Sequence, residues 1–169
     1  MTKIGLISDT HGYFDDQIAS YLKECDEIWH GGDFGPDVHE ALTQFISSNP
    51  AKKIRGVYGN IDGGLIRSHY PENAIFYCED VKIMIRHIGG YPPKYNKDTI
   101  PLLHKEKPQL FISGHSHILK IMYDDKLDCL HMNPGAAGKQ GWHKVRTMIQ
   151  FNIDQKNIKD CKVIELGSR

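Results

Sequence analysis

Ile4-Gly5-Leu6-Ile7-Ser8-Asp9-Thr10-His11-Gly12 is the stretch from which the fold can be read. An apolar run breaks off into small residues, and a carboxylate and an imidazole stand just beyond the break. Ile4 to Ile7 has the length and composition of a buried strand. Ser8 to Gly12 reads as the loop at its C-terminal end. In α/β proteins that end collects chemistry, because the sheet is rigid and the loop is free to carry reactive groups. Asp9 and His11, with one residue between them in an extended segment, can point the same way at one ion. Four later segments of the same form give the pair its meaning.

Working outward, Asp15 or Asp16 is positioned to cap a helix carrying Ile18, Ala19 and Leu22. Glu27 to His30 is a second short strand, stopped by Gly31-Gly32-Asp33-Phe34-Gly35. Asp37 can cap the next helix, with Ala41, Leu42, Phe45 and Ile46 as its buried stripe and Pro50 beyond its end. Lys53 to Tyr58 is a third strand, ending at Gly59-Asn60-Ile61-Asp62. Strand, helix, strand, helix, strand predicts parallel pairing with right-handed crossovers. Arg67 to Asn73 reads as irregular.

The pattern then changes. Ala74–Cys78 and Val81–His87 flank Glu79-Asp80 as a hairpin. Tyr91 to Asp98 reads as a surface loop, and Thr99 to Lys105 as a short helix that tolerates Pro101 in its first turn. Leu110 to Ser113 is another buried strand, ending at Gly114-His115-Ser116-His117. Ile118–Tyr123 pairs with Leu127–Met132, Asn133-Pro134-Gly135 is a turn, and Arg146–Ile153 pairs with Ile158–Leu166. With no linker, repeat or low-complexity segment, residues 1–169 are expected to form one α/β domain.

Composition narrows the function classes. Lys+Arg and Asp+Glu are both 21, so net charge is zero and no basic stripe appears. Sequence-independent binding to nucleic acid is therefore not expected. The apolar runs fall short of a bilayer span, and an apolar strand starting within three residues of Met1 leads us to expect no signal peptide. The four cysteines are widely spaced without a C-x-x-C, which fits reduced thiols and a cytoplasmic location.

Five predicted strands end in a glycine or serine turn bearing a metal-capable side chain. In order these are Asp9/His11, Asp33, Asn60, His87 and His115/His117. If the strands share one end of a compact sheet arrangement, two carboxylates, one amide oxygen and four imidazoles converge. That exceeds the roughly four ligands of one tetrahedral zinc. It suits two adjacent ions sharing a carboxylate. Mixed nitrogen and oxygen donors without thiolate suit Mn, Fe, Zn or Co. Two ions about 3.5–4 Å apart generate hydroxide near neutral pH and hold phosphoryl oxygens for in-line displacement, so phosphate esters are the natural substrate.

The segments Asp9-Thr10-His11, Gly32-Asp33, Gly59-Asn60, His87 and Gly114-His115-Ser116-His117 resemble the calcineurin-like metallophosphoesterases in order and rough spacing. The Ser8-Asp9-Thr10-His11-Gly12 opening, the short length and Asn133-Pro134-Gly135 look most like the small YfcE-type phosphodiesterases. The resemblance runs from about Ile4 to Gly135. It implies a sandwich of two mixed β-sheets flanked by helices, with a dimetal site on loops at one edge. It implies one ion held by Asp9, His11, Asp33 and His117, and a second by Asp33, Asn60, His87 and His115, with Asp33 bridging. Asp9, Asp33, Asn60 and His115 take the catalytic parts around a bridging hydroxide. Two divalent ions are implied, manganese first, with Fe, Zn, Ni or Mg as alternatives. The implied partners are a small phosphate-ester substrate and a second copy of the chain in a homodimer or small oligomer.

One position departs from the family pattern. Many members carry Gly-Asn-His, whose histidine is assigned to leaving-group protonation or phosphate stabilisation; Ile61 can do neither. Activated aryl diesters should still turn over, while alkoxide leaving groups need a proton from Asp62, His30 or water. Asp62 otherwise reads as a turn residue or a partner of a metal-binding histidine. His30, Trp29 and Phe34 are expected in the core near the site. His39, His69, His104, His131 and His143 are expected to be ordinary surface or core residues. Two further readings stand beside the phosphodiesterase. One is a phosphomonoesterase, for which no clear arginine pair is evident. The other is a protein-binding scaffold like the retromer subunit that resembles this family, against which stands the completeness of the ligand set.

Overall fold

The computed structural model describes residues 1–169. Its elements run β1 (Thr2–Ile7), α1 (Asp16–Lys23), β2 (Glu27–His30), α2 (Val38–Ser47), β3 (Lys53–Gly56), α3 (Gly64–His69), β4 (Asn73–Cys78) and β5 (Val81–Arg86). They continue with β6 (Gly90–Tyr91), β7 (Lys94–Tyr95), α4 (Ile100–Glu106), β8 (Leu110–Ile112), β9 (Leu119–Asp124), β10 (Cys129–Pro134), β11 (Val145–Asp154) and β12 (Asn157–Ser168). No helix is long and apolar enough to cross a membrane.

Two five-stranded mixed sheets form, in the orders β12-β11-β1-β2-β3 and β4-β5-β8-β10-β9. β1, β2 and β3 are parallel, as the strand–helix alternation predicts; β11 adds antiparallel to β1, and β12 adds antiparallel to β11 at the edge. In the second sheet β5, β8 and β10 are parallel, while β4 and β9 close the edges as antiparallel strands.

Alternation along β1 explains the layers. Ile4 and Leu6 join Trp29, Ile83, Ile85, Leu110, Ile112 and Phe151 in a cluster drawn from both sheets, so the sheets pack face to face. Ile7 points the other way, into a cluster with Ile18, Leu22, Phe34, Val38 and Leu42 under α1 and α2. α4 covers the outer face of the second sheet through Leu103 against Met84 and Phe111. The result is the expected sandwich flanked by helices. All four cysteines are free thiols.

Four local expectations change. The segment around Arg67 is helical, because α3 buries Ile66 and Tyr70 against Phe34 and its neighbours. The loop from Tyr91 contains the two-stranded ribbon β6–β7. Asp37 stands at the start of α2 but in the left-handed region, φ 66°, with no side-chain cap, whereas Asp15 caps α1 by accepting from the Ile18 N–H at 2.9 Å. Of the stripe expected on α2, Leu42 is buried, while Ala41, Phe45 and Ile46 are half-buried and Val38 completes it.

Candidate metal centre

The loops after β1, β2, β3, β5 and β8 meet at one edge of the sandwich. They bring all seven predicted side chains together. Asp9, His11 and His117 form one group whose donor atoms lie within 4.8 Å of one another, and Asp33, His87 and His115 form a second. Asn60 Oδ1 lies 3.1 Å from His87 Nε2 and 2.9 Å from His115 Nδ1, placing it in the second group. Asp33 Oδ2 stands between the groups, 3.2 Å from His87 Nε2 and 3.6 Å from His11 Nε2.

The loops reach this arrangement through unusual backbone. Asp9, His11, Asp33, His115 and His117 all have positive φ, between 45° and 67°. The Ser8–Gly12 segment is therefore not extended as its sequence suggests. Left-handed conformations on residues with a Cβ are unfavourable and persist where the surroundings over-determine them, commonly at functional sites. Here the determinants are visible. Asp9 N–H donates to Gly32 O at 2.9 Å, and His11 N–H to Asp33 O at 3.1 Å. At Gly59 the need is for space: a Cβ there would lie 2.0 Å from Asp33 Oδ1.

Several buried groups act as braces. Asp62 is 4% exposed and its carboxylate accepts three backbone bonds, from Gly59 N–H (2.8 Å), Gly35 N–H (3.0 Å) and Phe34 N–H (3.2 Å). It thus ties the Asp33 loop to the Asn60 loop, and it neither orients a histidine nor is free to give a proton. His30 is fully buried. Its Nδ1 accepts from the Gly32 N–H, its Nε2 meets Thr10 Oγ1 at 3.0 Å, and its ring stacks on Phe34 at 3.6 Å between centroids. Burial pushes its pKa down to about 3, so it stays neutral and structural. Asn133 and Pro134, expected in a turn, instead end strand β10, and the Asn133 side chain ties that strand end to the His115 loop: its Nδ2 donates to Gly114 O and Ser116 Oγ, and its Oδ1 accepts from Gly135 N–H.

The donor set can be tested for its fit to cations. Ser8 Oγ–H and His115 N–H both donate to Asp9 Oδ2, at 2.6 and 3.1 Å. Asp9 Oδ1 is left buried without any donor, 3.1 Å from His117 Nε2. His11 Nε2 and His117 Nε2 face one another at 3.3 Å. His87 donates its Nδ1 proton to Gly31 O at 2.8 Å, which turns the Nε2 lone pair toward the acceptors Asp33 Oδ2 and Asn60 Oδ1. Acceptors facing acceptors repel, and a cation among them converts repulsion to attraction. A proton on His87 Nε2 serves the same end as a cation: burial opposes the charge, but the bond that this proton makes to Asp33 and the charges of Asp9 and Asp33 outweigh burial and raise the pKa. At His11 burial prevails over Asp33 and Asp9, and the pKa is lowered. The residues fit divalent metal ions held by nitrogen and oxygen.

Other features escape a linear reading. A cavity of about 330 Å³ opens on Asn60 and His87 and is lined by Tyr58, Arg67, Glu72 and Arg86 among others. It supplies an arginine pair that was not evident from sequence. Arg86 Nη1 donates to Asn73 Oδ1, Nη2 pairs with Glu72 at 3.2 Å, and Nε is buried without a partner. His143 packs its ring against His117, with centroids 5.3 Å apart, and its Nε2 donates to Gly138 O. No strand-end pattern marks His143. The only sequence signal near it is the basic and aromatic run Lys139-Gln140-Gly141-Trp142-His143-Lys144.

Comparison with known proteins gives a consistent family. Residues 2–156 match the family model of the calcineurin-like phosphoesterase superfamily domain. A Mycoplasma pneumoniae protein named as a probable metallophosphoesterase is 26% identical over 167 residues, covering 95% of each chain. A structure of wild-type Vps29 from Entamoeba histolytica complexed with zinc superposes with a TM-score of 0.71 at 15% identity, over 96% of this chain and 98% of the other. An archaeal phosphodiesterase superposes with a TM-score of 0.71 at 20% identity, over 97% and 99%. These two structures share the fold.

Proposed function

Because the chain belongs to the calcineurin-like phosphoesterase superfamily, we propose that it is a metal-dependent phosphodiesterase with a two-ion centre. The observation that carries this reading is the pairing of two donor groups across Asp33 Oδ2. Asp9, His11 and His117 would hold one ion and Asn60, His87 and His115 the other, with Asp33 shared. Manganese is the first candidate. When bound, such ions supply a hydrolytic nucleophile from water near neutral pH and neutralise charge on the phosphoryl group.

The chain's own residues do the rest. Ser8 and His115 N–H fix Asp9 so that only Oδ1 faces the centre. Gly31 O fixes the His87 tautomer that presents Nε2. Asp62 holds the Asp33 and Asn60 loops at fixed separation, and positional precision of this kind is a large part of phosphoryl-transfer catalysis. The cavity beside Asn60 and His87 has room for one arm of a diester. The exposed Ile61 side chain has no proton to give and its N–H is already donated to Asp33 Oδ1, Asp62 is committed to three N–H groups, and His30 is sealed in the core. Water is left as the proton source for the leaving group. Rates should therefore fall steeply as leaving-group pKa rises.

The test is hydrolysis of bis-p-nitrophenyl phosphate by metal-stripped protein, with and without Mn²⁺, beside the corresponding monoester. Metal-dependent turnover favouring the diester, lost in Asp33→Asn, is the expected result. Absence of turnover with every divalent metal would sink the enzymatic reading and favour a scaffold. Arg67 and Arg86 in one cavity supply the specific argument for a monoesterase, since two guanidiniums suit a dianionic phosphate. Monoester preference, lost in Arg86→Ala, would establish that alternative.

A further inference from the structure

Trp142 is 99% exposed, and isolated exposed apolar residues are ordinary on protein surfaces. What sets this one apart is the loop that carries it. Gly141 precedes it, has φ +129°, and would place a Cβ 2.1 Å from His117 Nδ1. The backbone is thus pressed directly against a residue of the candidate metal centre, and the Trp142 Cα follows about 3.8 Å further on.

The loop is also firmly fixed. Ala137 N–H donates to Ser8 O at 2.9 Å and Gly138 N–H to Asp9 O at 3.2 Å, fastening its base to the Asp9 loop. His143 Nε2 donates back to Gly138 O at 2.9 Å, and the Arg169 guanidinium donates to Gly141 O. Lys139 lies over the Tyr13 ring at 4.6 Å, with Arg146 also over that ring at 4.5 Å. A rigid loop displays a fully exposed indole, flanked by Lys139 and Lys144 with no acidic residue between positions 138 and 144.

Other aromatic rings around the centre are engaged by cations. Arg67 covers Tyr58 at 4.3 Å and Lys120 covers Tyr91 at 3.7 Å, as Lys139 and Arg146 cover Tyr13. Trp142 has no such partner. A fixed, uncovered indole in basic surroundings, next in the chain to a glycine that abuts His117, has the chemistry of a base-stacking platform.

We propose that Trp142 stacks on the heterocyclic base of a nucleotide-type substrate, one ester arm of which leaves the centre on the His117 side. The substrate class is a phosphate ester carrying a purine or pyrimidine. This rests on the phosphoesterase reading, since the centre must hold the phosphate.

Tryptophan fluorescence tests it directly. The chain has two tryptophans, and Trp29 is fully buried, so emission at long wavelength belongs to Trp142. Mg²⁺-loaded protein is titrated with adenosine 5′-monophosphate, ribose 5-phosphate and inorganic phosphate. Long-wavelength emission should be quenched by the nucleotide and not by the other two. Trp142→Ala should weaken nucleotide binding, read by calorimetry, about tenfold or more, and Trp142→Phe should restore most of it. Equal affinity for nucleotide and ribose phosphate, unchanged in Trp142→Ala, would overturn the proposal. A blue shift that grows with protein concentration without nucleotide would also overturn it, assigning the indole to contact with a second copy. Diester turnover measured in parallel separates the two readings. Turnover without base-dependent quenching removes the platform alone, whereas quenching without turnover under any divalent metal removes the phosphodiesterase.

Discussion

Asp62→Asn should uncouple the two loops that carry Asp33 and Asn60. Phe34 and Gly35 follow Asp33 directly, and Gly59 precedes Asn60, so the Asp62 carboxylate accepts from both sides of the centre. One oxygen takes Phe34 and Gly59, and the other takes Gly35. An amide keeps the shape but has only one acceptor. With its oxygen on the Phe34 and Gly59 side, its NH₂ faces the Gly35 N–H, donor against donor. Hydrogen bonds to a charged group contribute about 1.5–3 kcal/mol each and neutral ones about half that. One bond lost and two weakened amount to about 2–4 kcal/mol, since Gly35 is half-buried and part of its loss is recovered from water. For a chain of this size that lowers Tm by roughly 5–15 °C. Changes around metal ligands typically reduce metal affinity by about 10–100-fold. Urea unfolding of the metal-free protein measures the first effect, and calorimetric titration with Mn²⁺ the second. A variant within about 0.5 kcal/mol of wild type whose metal affinity is unchanged would refute the reasoning. Lost stability with intact metal affinity would leave Asp62 a fold residue alone.

Gly59→Ala puts a methyl group where Asp33 Oδ1 stands, 2.0 Å away, and should cost about 1–3 kcal/mol while removing metal-dependent stabilisation, both read in thermal unfolding with and without Mn²⁺. Saturating the centre at about 100 times Kd should stabilise wild type by about 2.7 kcal/mol, with chelator reversing the shift and Asp9→Asn or Asp33→Asn abolishing it; a flat response to all divalent ions contradicts the two-ion reading. Asp15 provides a pH signature away from the centre. Burial works against its charge, but the Ile18 N–H bond and Arg146 outweigh that and hold its pKa below the usual range. A depressed folded pKa means stability that is complete above the unfolded value and lost as pH falls through the folded one, so unfolding free energy should drop below about pH 4. Asp15→Asn should reduce that acid slope, checked by denaturation between about pH 2 and pH 6.

The strand-end pattern was legible in sequence because it is local. Short apolar runs followed by glycine, serine and a ligand-type residue predict both the buried strands and the loops that end them, and all five such loops meet at one edge of the fold. The helix at Gly64–His69 was not legible, because it is held by Ile66 and Tyr70 packing on Phe34, a contact between segments far apart in the chain. The ribbon of β6 and β7 escaped for lack of any periodicity over two-residue strands.

For the site, the sequence by itself determined which atoms are available: two carboxylates, one amide oxygen and four imidazoles, each on a rigid strand end. Residue type and spacing are enough for that, since donor chemistry belongs to the side chain. The division of those atoms into two groups with Asp33 between them is implied by the family resemblance, and the tertiary structure produces it through left-handed turns and loop-to-loop hydrogen bonds. The tertiary structure also decided that Asp62 braces loops rather than giving a proton, that Arg67 and Arg86 share a cavity, and that Trp142 stands uncovered on the loop whose Gly141 abuts His117. Each of these depends on contacts between residues remote in sequence, which packing selects and no local pattern encodes.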